Sequence, residues 1–226
     1  MAAAARIRAR SEVAARIDLA ILAAGADREA VRSGCEEAVA LGLAAVCVSP
    51  VWVREAAERL AGSGVKVAAV VGFPLGASTT LTKVFEALEC LKGGAAELDI
   101  VLHLGAARAG DARSIREEAV EILKRTKEAT HKLIVEMNLL DESALRATVI
   151  AAAAAGPAFL KTGTGTVGGP VSASDVARLR ALCPAGIRIK AAGGIRDAAQ
   201  AAALLDAGAD RLGTSAARRV LDGFAA

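Results

Sequence analysis

Short apolar runs alternate with longer amphipathic stretches along almost the whole chain. Runs bounded by Gly, Asp or Lys read as strands buried on both faces, and the stretches between them carry the three-to-four-residue spacing of helices. Strands are predicted at 16–20, 44–49, 66–72, 97–103, 132–137, 158–162, 187–191 and 211–214. Helices are predicted at 51–61, 79–92, 111–129, 142–155, 172–181 and 196–207, several with Gly just past the end. Alternating strand and helix signals a parallel sheet, and eight units of roughly 28 residues match a compact α/β protein, a (β/α)8 TIM barrel in a single domain. No linker or shift of composition divides the chain into the halves of an open doubly wound sheet.

Composition narrows the class. The 226 residues are 54% hydrophobic and 23% charged, a globular rather than a disordered balance. Every long apolar stretch is broken by Arg, Asp, Glu or Gly before it reaches membrane-spanning length, so no membrane partner is expected. A net charge of +3, 2% aromatics and no Tyr offer neither a polyanion surface nor a stacking platform, so no nucleic acid is expected either. Cys35, Cys47, Cys90 and Cys183 form no CxxC pair and match no His spacing; they read as reduced thiols of a cytoplasmic protein without a metal site. Residues 1–15 are rich in Ala and Arg, lack an apolar h-region, and read as a short N-terminal helical leader to a barrel over 16–226.

Candidate chemistry follows from the fold, because a barrel gathers its reactive groups at the C-terminal ends of its strands. Asp18, Asp99, Glu136, Lys161 and Lys190 fall there. Period-two alternation places Asp99 on a face with Glu97 and Val101, Glu136 with Ile134, Lys161 with Phe159, and Lys190 with Arg188. Three carboxylates and two ammonium groups are therefore expected in one small volume. Only a neutral amine attacks a carbonyl, and a second ammonium about 6 Å away, at an effective dielectric near 20, disfavours double protonation by about 3 kcal/mol. One lysine then attacks and forms an iminium, while the other stays charged and moves protons with the carboxylates. That is the chemistry of a Schiff-base aldolase or transaldolase. The residues themselves leave open which lysine attacks.

Glycine-bearing loops add a phosphate. Gly193-Gly194-Ile195-Arg196 follows the seventh strand and Gly213-Thr214-Ser215 the eighth, the two places where barrels commonly hold one. With Gly165 in the loop after Lys161, the expected phosphate-binding residues are Gly165, Gly193, Gly194, Arg196, Gly213 and Ser215. His103 and His131 have no ligand partners in the pattern, Cys47 reads as a buried thiol near the mouth, and Trp52 reads as packing. Lys83 and Glu86, three apart, read as a pair on a solvated helix face.

At these residues the chain resembles the deoxyribose-phosphate aldolases, class I (Schiff-base) aldolases of the (β/α)8 fold. The likeness rests on Ala45-Val46-Cys47-Val48-Ser49-Pro50, on Gly72-Phe73-Pro74-Leu75-Gly76 continuing to Lys83-Val84-Phe85-Glu86-Ala87, and on Glu97-Leu98-Asp99-Ile100. Phe159-Leu160-Lys161-Thr162 and Lys190-Ala191-Ala192-Gly193-Gly194-Ile195-Arg196 complete it. It implies reversible cleavage of 2-deoxy-D-ribose 5-phosphate to D-glyceraldehyde 3-phosphate and acetaldehyde, in deoxyribonucleoside catabolism, without a cofactor or metal. It further implies Lys161 as the Schiff-base lysine, Lys190 and Asp99 as the proton relay, and a homo-oligomer, either dimer or tetramer. Departures from the family pattern are Leu19-Ala20-Ile21, where a threonine is usual, Ser49, Met137, Gly163 in place of serine, and Ala216. Two other readings stay open: another Schiff-base sugar-phosphate lyase of this fold, and a non-catalytic phosphosugar-binding protein.

Overall fold

The structure, a computed structural model, describes residues 9–225. Its eight strands are β1 (Ile17–Ile21), β2 (Ala45–Val48), β3 (Lys66–Val71), β4 (Glu97–Val101), β5 (Thr130–Ile134), β6 (Phe159–Lys161), β7 (Arg188–Ala192) and β8 (Arg211–Thr214). They close into one parallel barrel in chain order, β8 pairing back onto β1 through Asp18 and Gly213. The predicted (β/α)8 architecture is the observed one.

Around the barrel lie α2 (Arg28–Leu41), α3 (Val53–Leu60), α4 (Thr80–Lys92), α6 (Ala112–Arg125), α7 (Glu142–Ala153), α8 (Ala173–Leu182) and α9 (Ala198–Asp206). Three five-residue helices complete the set: α1 (Arg10–Ala14), α5 (Leu104–Arg108) and α10 (Ala217–Leu221). Helix α1 falls inside the predicted leader, whose residues 1–8 lie outside the described residues. Side-chain caps start most of the long helices. Asp27, Thr79, Asp111, Asp141 and Asp197 each accept a backbone N–H three residues on, and Ser172 forms a full capping box with Asp175. Each such cap contributes about 1 kcal/mol.

Differences from the expected elements have local causes. Helix α2 escaped prediction because Gly34 interrupts its pattern, yet a Cβ at Gly34 would run into the Ile21 side chain, so glycine is what lets α2 lie close on β1. Strand β4 stops at Val101 because His103 caps α5, its Nδ1 accepting the Ala106 N–H at 2.9 Å. Strand β5 stops at Ile134, and Glu136 takes a left-handed φ of 47°.

The main core lies between the barrel wall and the helices, where Val46 and Val48 of β2 with Ile17, Leu98, Ile100 and Leu133 have no exposed surface. The barrel interior is divided. Ala45 and Cys47 of β2 with Ala68 and Val70 of β3 form a small separate apolar cluster. The other strands fill the interior with charge.

Candidate active site

Strand register brings the charged residues together. Lys161 and Lys190 are register partners on β6 and β7, as are Asp99 and Lys132 on β4 and β5. Asp99 is the hub. Its Oδ2 accepts from Lys161 Nζ at 2.8 Å and from Lys190 Nζ at 2.7 Å, and its Oδ1 accepts from Lys132 Nζ at 2.7 Å. Asp18 pairs with Lys190 on one oxygen and accepts from Arg211 at 2.7 Å on the other. Lys132 also reaches Glu97 at 2.6 Å and Asp18 at 3.5 Å. Asp18, Asp99 and Lys132 have no exposed surface, and Lys161 and Lys190 are 2% and 1% exposed.

Burial opposes ionisation of Asp99, but Lys132, Lys161 and Lys190 outweigh it and hold the carboxyl well below the usual range. Asp18 is lowered in the same way, Lys190, Lys132 and Arg211 overcoming the cost of burial. Conversely, burial disfavours the ammonium groups of Lys132 and Lys190, yet the surrounding carboxylates push both upward. Lys161 thus shares the Asp99 carboxylate with two ammonium groups, Lys190 on the same oxygen and Lys132 on the other. The Cys47 thiol, 3.9 Å from Asp99, is pushed up to about 11 by burial and then by that carboxylate.

Above the cluster opens a cavity of about 940 Å³ at the C-terminal ends of the strands. Asp18, Lys161 and Lys190 form its floor, and Leu22, Cys47 and Phe73 line it from the β1 to β3 side. Gly165, Gly193, Gly194, Arg196, Gly213 and Ser215 all line it from the β6 to β8 side. Those loops touch backbone to backbone: a Cβ on Gly193 would lie 2.9 Å from the Gly169 carbonyl oxygen and 3.4 Å from Gly165 Cα. A Cβ on Gly213 would lie 3.2 Å from Lys190 Cε, so that glycine makes room for the lysine. Ala20, where the resemblance leads one to look for a hydroxyl, also faces the cavity.

Asp18, Asp99, Lys161 and Lys190 meet as expected, but only Lys161 ends its strand: Asp18 is the second residue of β1, and Asp99 and Lys190 stand in the middle of β4 and β7. Glu136 does not join them. Its φ turns it out of β5, where its Oε2 accepts the Thr164 N–H at 2.9 Å and its other oxygen lies against Gly163 and Gly168. It holds the loop that follows Lys161. The solvated pair expected of Lys83 and Glu86 is also corrected: Lys83 is wholly buried, bonded to Glu118, and Glu86 accepts the Gly72 N–H. Sequence reasoning passed over Lys132 and Arg211. Lys132 carried a signal, since it shares the period-two face of Ile134 and Glu136.

Lysines sharing one carboxylate oxygen at the mouth of a (β/α)8 barrel define a class of enzyme built to handle carbonyls. Residues 12–223 match the family model described as DeoC/LacD family aldolase. The chain is 39% identical over 210 residues to deoxyribose-phosphate aldolase 2 of Staphylococcus aureus (strain MRSA252), covering 93% of this chain and 96% of that one. It is 42% identical over 204 residues to deoxyribose-phosphate aldolase of Trichormus variabilis (strain ATCC 29413 / PCC 7937), covering 90% and 89%. Among solved structures, the tetrameric deoxyribose phosphate aldolase from Aeropyrum pernix superposes with a TM-score of 0.90 at 35% identity, over 95% of this chain and 91% of that one. The chain belongs to the DeoC/LacD aldolase family.

Proposed function

We propose that this protein catalyses the reversible aldol cleavage of 2-deoxy-D-ribose 5-phosphate to D-glyceraldehyde 3-phosphate and acetaldehyde, with Lys161 as the Schiff-base lysine. The observation that carries this reading is that Lys161 and Lys190, both on the floor of the cavity, share one oxygen of the Asp99 carboxylate buried beneath it. Among the described residues Lys161 contacts one carboxylate, Lys190 two and Lys132 three. Lys161 is therefore the least constrained of the three and the natural nucleophile. Its amine adds to the aldehyde carbon of the open-chain sugar, and loss of water gives the iminium. Removal of the proton from the C3 hydroxyl breaks the C2–C3 bond, and the bonding pair moves into the iminium to form an enamine. Glyceraldehyde 3-phosphate leaves, the enamine is protonated at C2, and hydrolysis frees acetaldehyde and Lys161. Asp99 and Lys190 touch the Lys161 nitrogen or its carboxylate partner and serve as the relay for these protons. Asp18 and Lys132 hold that relay in its charged state. The loops at Gly165, Gly193, Gly194, Arg196, Gly213 and Ser215 cradle the phosphate.

Borohydride reduction in the presence of acetaldehyde, followed by peptide mass mapping, tests the assignment. A reduced two-carbon adduct on Lys161 is the expected result. An adduct on Lys190 alone would exchange the two roles, and no adduct with turnover absent would leave a phosphosugar-binding protein.

The same reading includes a cytoplasmic homo-oligomer without a nucleic-acid partner. Among the described residues no helix is long and apolar enough to cross a membrane. Leu81 and Phe85, each 69% exposed and one turn apart on α4, offer an apolar stripe for self-association. Light scattering of Leu81→Glu/Phe85→Glu against the parent tests this, a smaller particle being expected.

A further inference from the structure

Lys83 has no exposed surface, although α4 lies outside the barrel and the residue does not line the cavity. A fully buried ammonium calls for an explanation. Its Nζ donates to the Val101 carbonyl oxygen at 2.8 Å and to Glu118 Oε1 at 2.7 Å. Glu118, 4% exposed, accepts the His103 N–H at 2.9 Å on its other oxygen. The pair thus ties α4 and α6 to the end of β4. Its stem does something else. A Cβ on Gly72 would lie 2.8 Å from Lys83 Cε and 3.2 Å from Cδ, so the methylene chain lies flat on the Gly72 backbone, where φ is +64°. Glu86, one turn further along α4, accepts the Gly72 N–H at 2.7 Å, and the Gly76 N–H returns to the Gly72 carbonyl at 2.8 Å. The tight loop closed in this way presents Phe73, which lines the cavity and packs with Leu22 on the inner cluster containing Cys47.

We propose that the buried Lys83–Glu118 pair is a positioning device for the cavity: by fixing Gly72 it keeps Phe73 packed on the inner cluster that contains Cys47 and so sets the apolar wall that the aldehyde meets. The loops after β3 and β7 face each other across the closed barrel, so this wall stands opposite the Gly193 loop. The inference rests on the aldolase reading for its meaning, since the wall limits the alkyl part of an aldehyde held at Lys161. A loosened wall therefore shifts selectivity toward longer aldehydes.

The test separates positioning from mere stability. Lys83→Met alone would strand Glu118 as an unpaired buried carboxylate, whereas Lys83→Met/Glu118→Leu replaces the pair with apolar groups and keeps the core filled. Alkylation by iodoacetamide is followed at Cys47 by peptide mapping, with Cys35, buried on α2, as the internal control. In the double variant, and in Phe73→Ala, Cys47 is expected to react about tenfold faster or more with Cys35 unchanged. The ratio of kcat/KM for propanal to that for acetaldehyde rises in parallel. An unchanged Cys47 rate in either variant, or Cys47 and Cys35 accelerating together, would overturn the proposal. Failure of acetaldehyde trapping in the parent would sink the aldolase reading instead, and the alkylation result would stand apart from it.

Discussion

Lys132 donates to one oxygen of Asp99 at 2.7 Å, while the other oxygen of that carboxylate receives both Lys161 and Lys190. The carboxylate to which the proposed mechanism gives the central proton transfers is thus held by a lysine that does not border the cavity. Replacing Lys132 by Met leaves Asp18, Glu97 and Asp99 short of a cation in a buried site, a change that costs about 3–5 kcal/mol of stability. Turnover should fall by about a hundredfold as the relay loses its order. Denaturant unfolding and steady-state kinetics check both, and a variant with parental kcat would show that Lys132 serves the fold alone.

Lys190 shares an Asp99 oxygen with Lys161, the proposed nucleophile, whereas the loops proposed to cradle the phosphate lie on the adjoining cavity wall. Lys190→Met is therefore expected to lower kcat about a thousandfold and leave the affinity for inorganic phosphate within about twofold. Equal losses in calorimetric phosphate binding and in turnover would mean that Lys190 belongs to the cradle.

The charge cluster also sets a pH dependence of stability. Asp18 and Asp99 ionise below their ordinary value of 3.8, so the unfolded chain binds more protons than the native one in that range. Their contribution is complete above 3.8 and drains away as pH falls through the lowered native values. Lys132 and Lys190 behave oppositely, contributing fully below 10.5 and losing their contribution as pH rises through the raised native values. The stability difference between the parent and Asp99→Asn should be flat from about pH 5 to 8 and shrink below about pH 4. Urea unfolding across that range checks it; a difference that declined between pH 8 and 5 would contradict the assigned direction.

The electron sink in the proposed reaction is the iminium of Lys161, which needs no Lewis acid. Turnover should survive excess EDTA unchanged. Loss of activity that zinc restores would replace the Schiff base with metal-assisted chemistry.

How much of this was legible beforehand can be judged residue by residue. All eight strands were readable, because parallel strands buried on both faces leave apolar runs that no solvent-facing element would carry. Asp18, Asp99, Lys161 and Lys190 were readable too, since a charged residue within a run otherwise buried on both faces must point into the barrel and find a partner there. Glu136 was misplaced because period-two reasoning extends only as far as the strand does, and a positive φ two residues past Ile134 ended it. Lys83 was misread because helix spacing shows which residues share a face and not which face is covered. By itself the sequence determined the fold class, the existence and order of the strands and the lysine-rich, glycine-rimmed mouth, all of which follow from local periodicity and residue chemistry. Only the tertiary structure decided which carboxylate each lysine meets. Those pairings depend on register between strands distant along the chain, and burial makes them binding because an unpaired charge inside the barrel has no water to turn to.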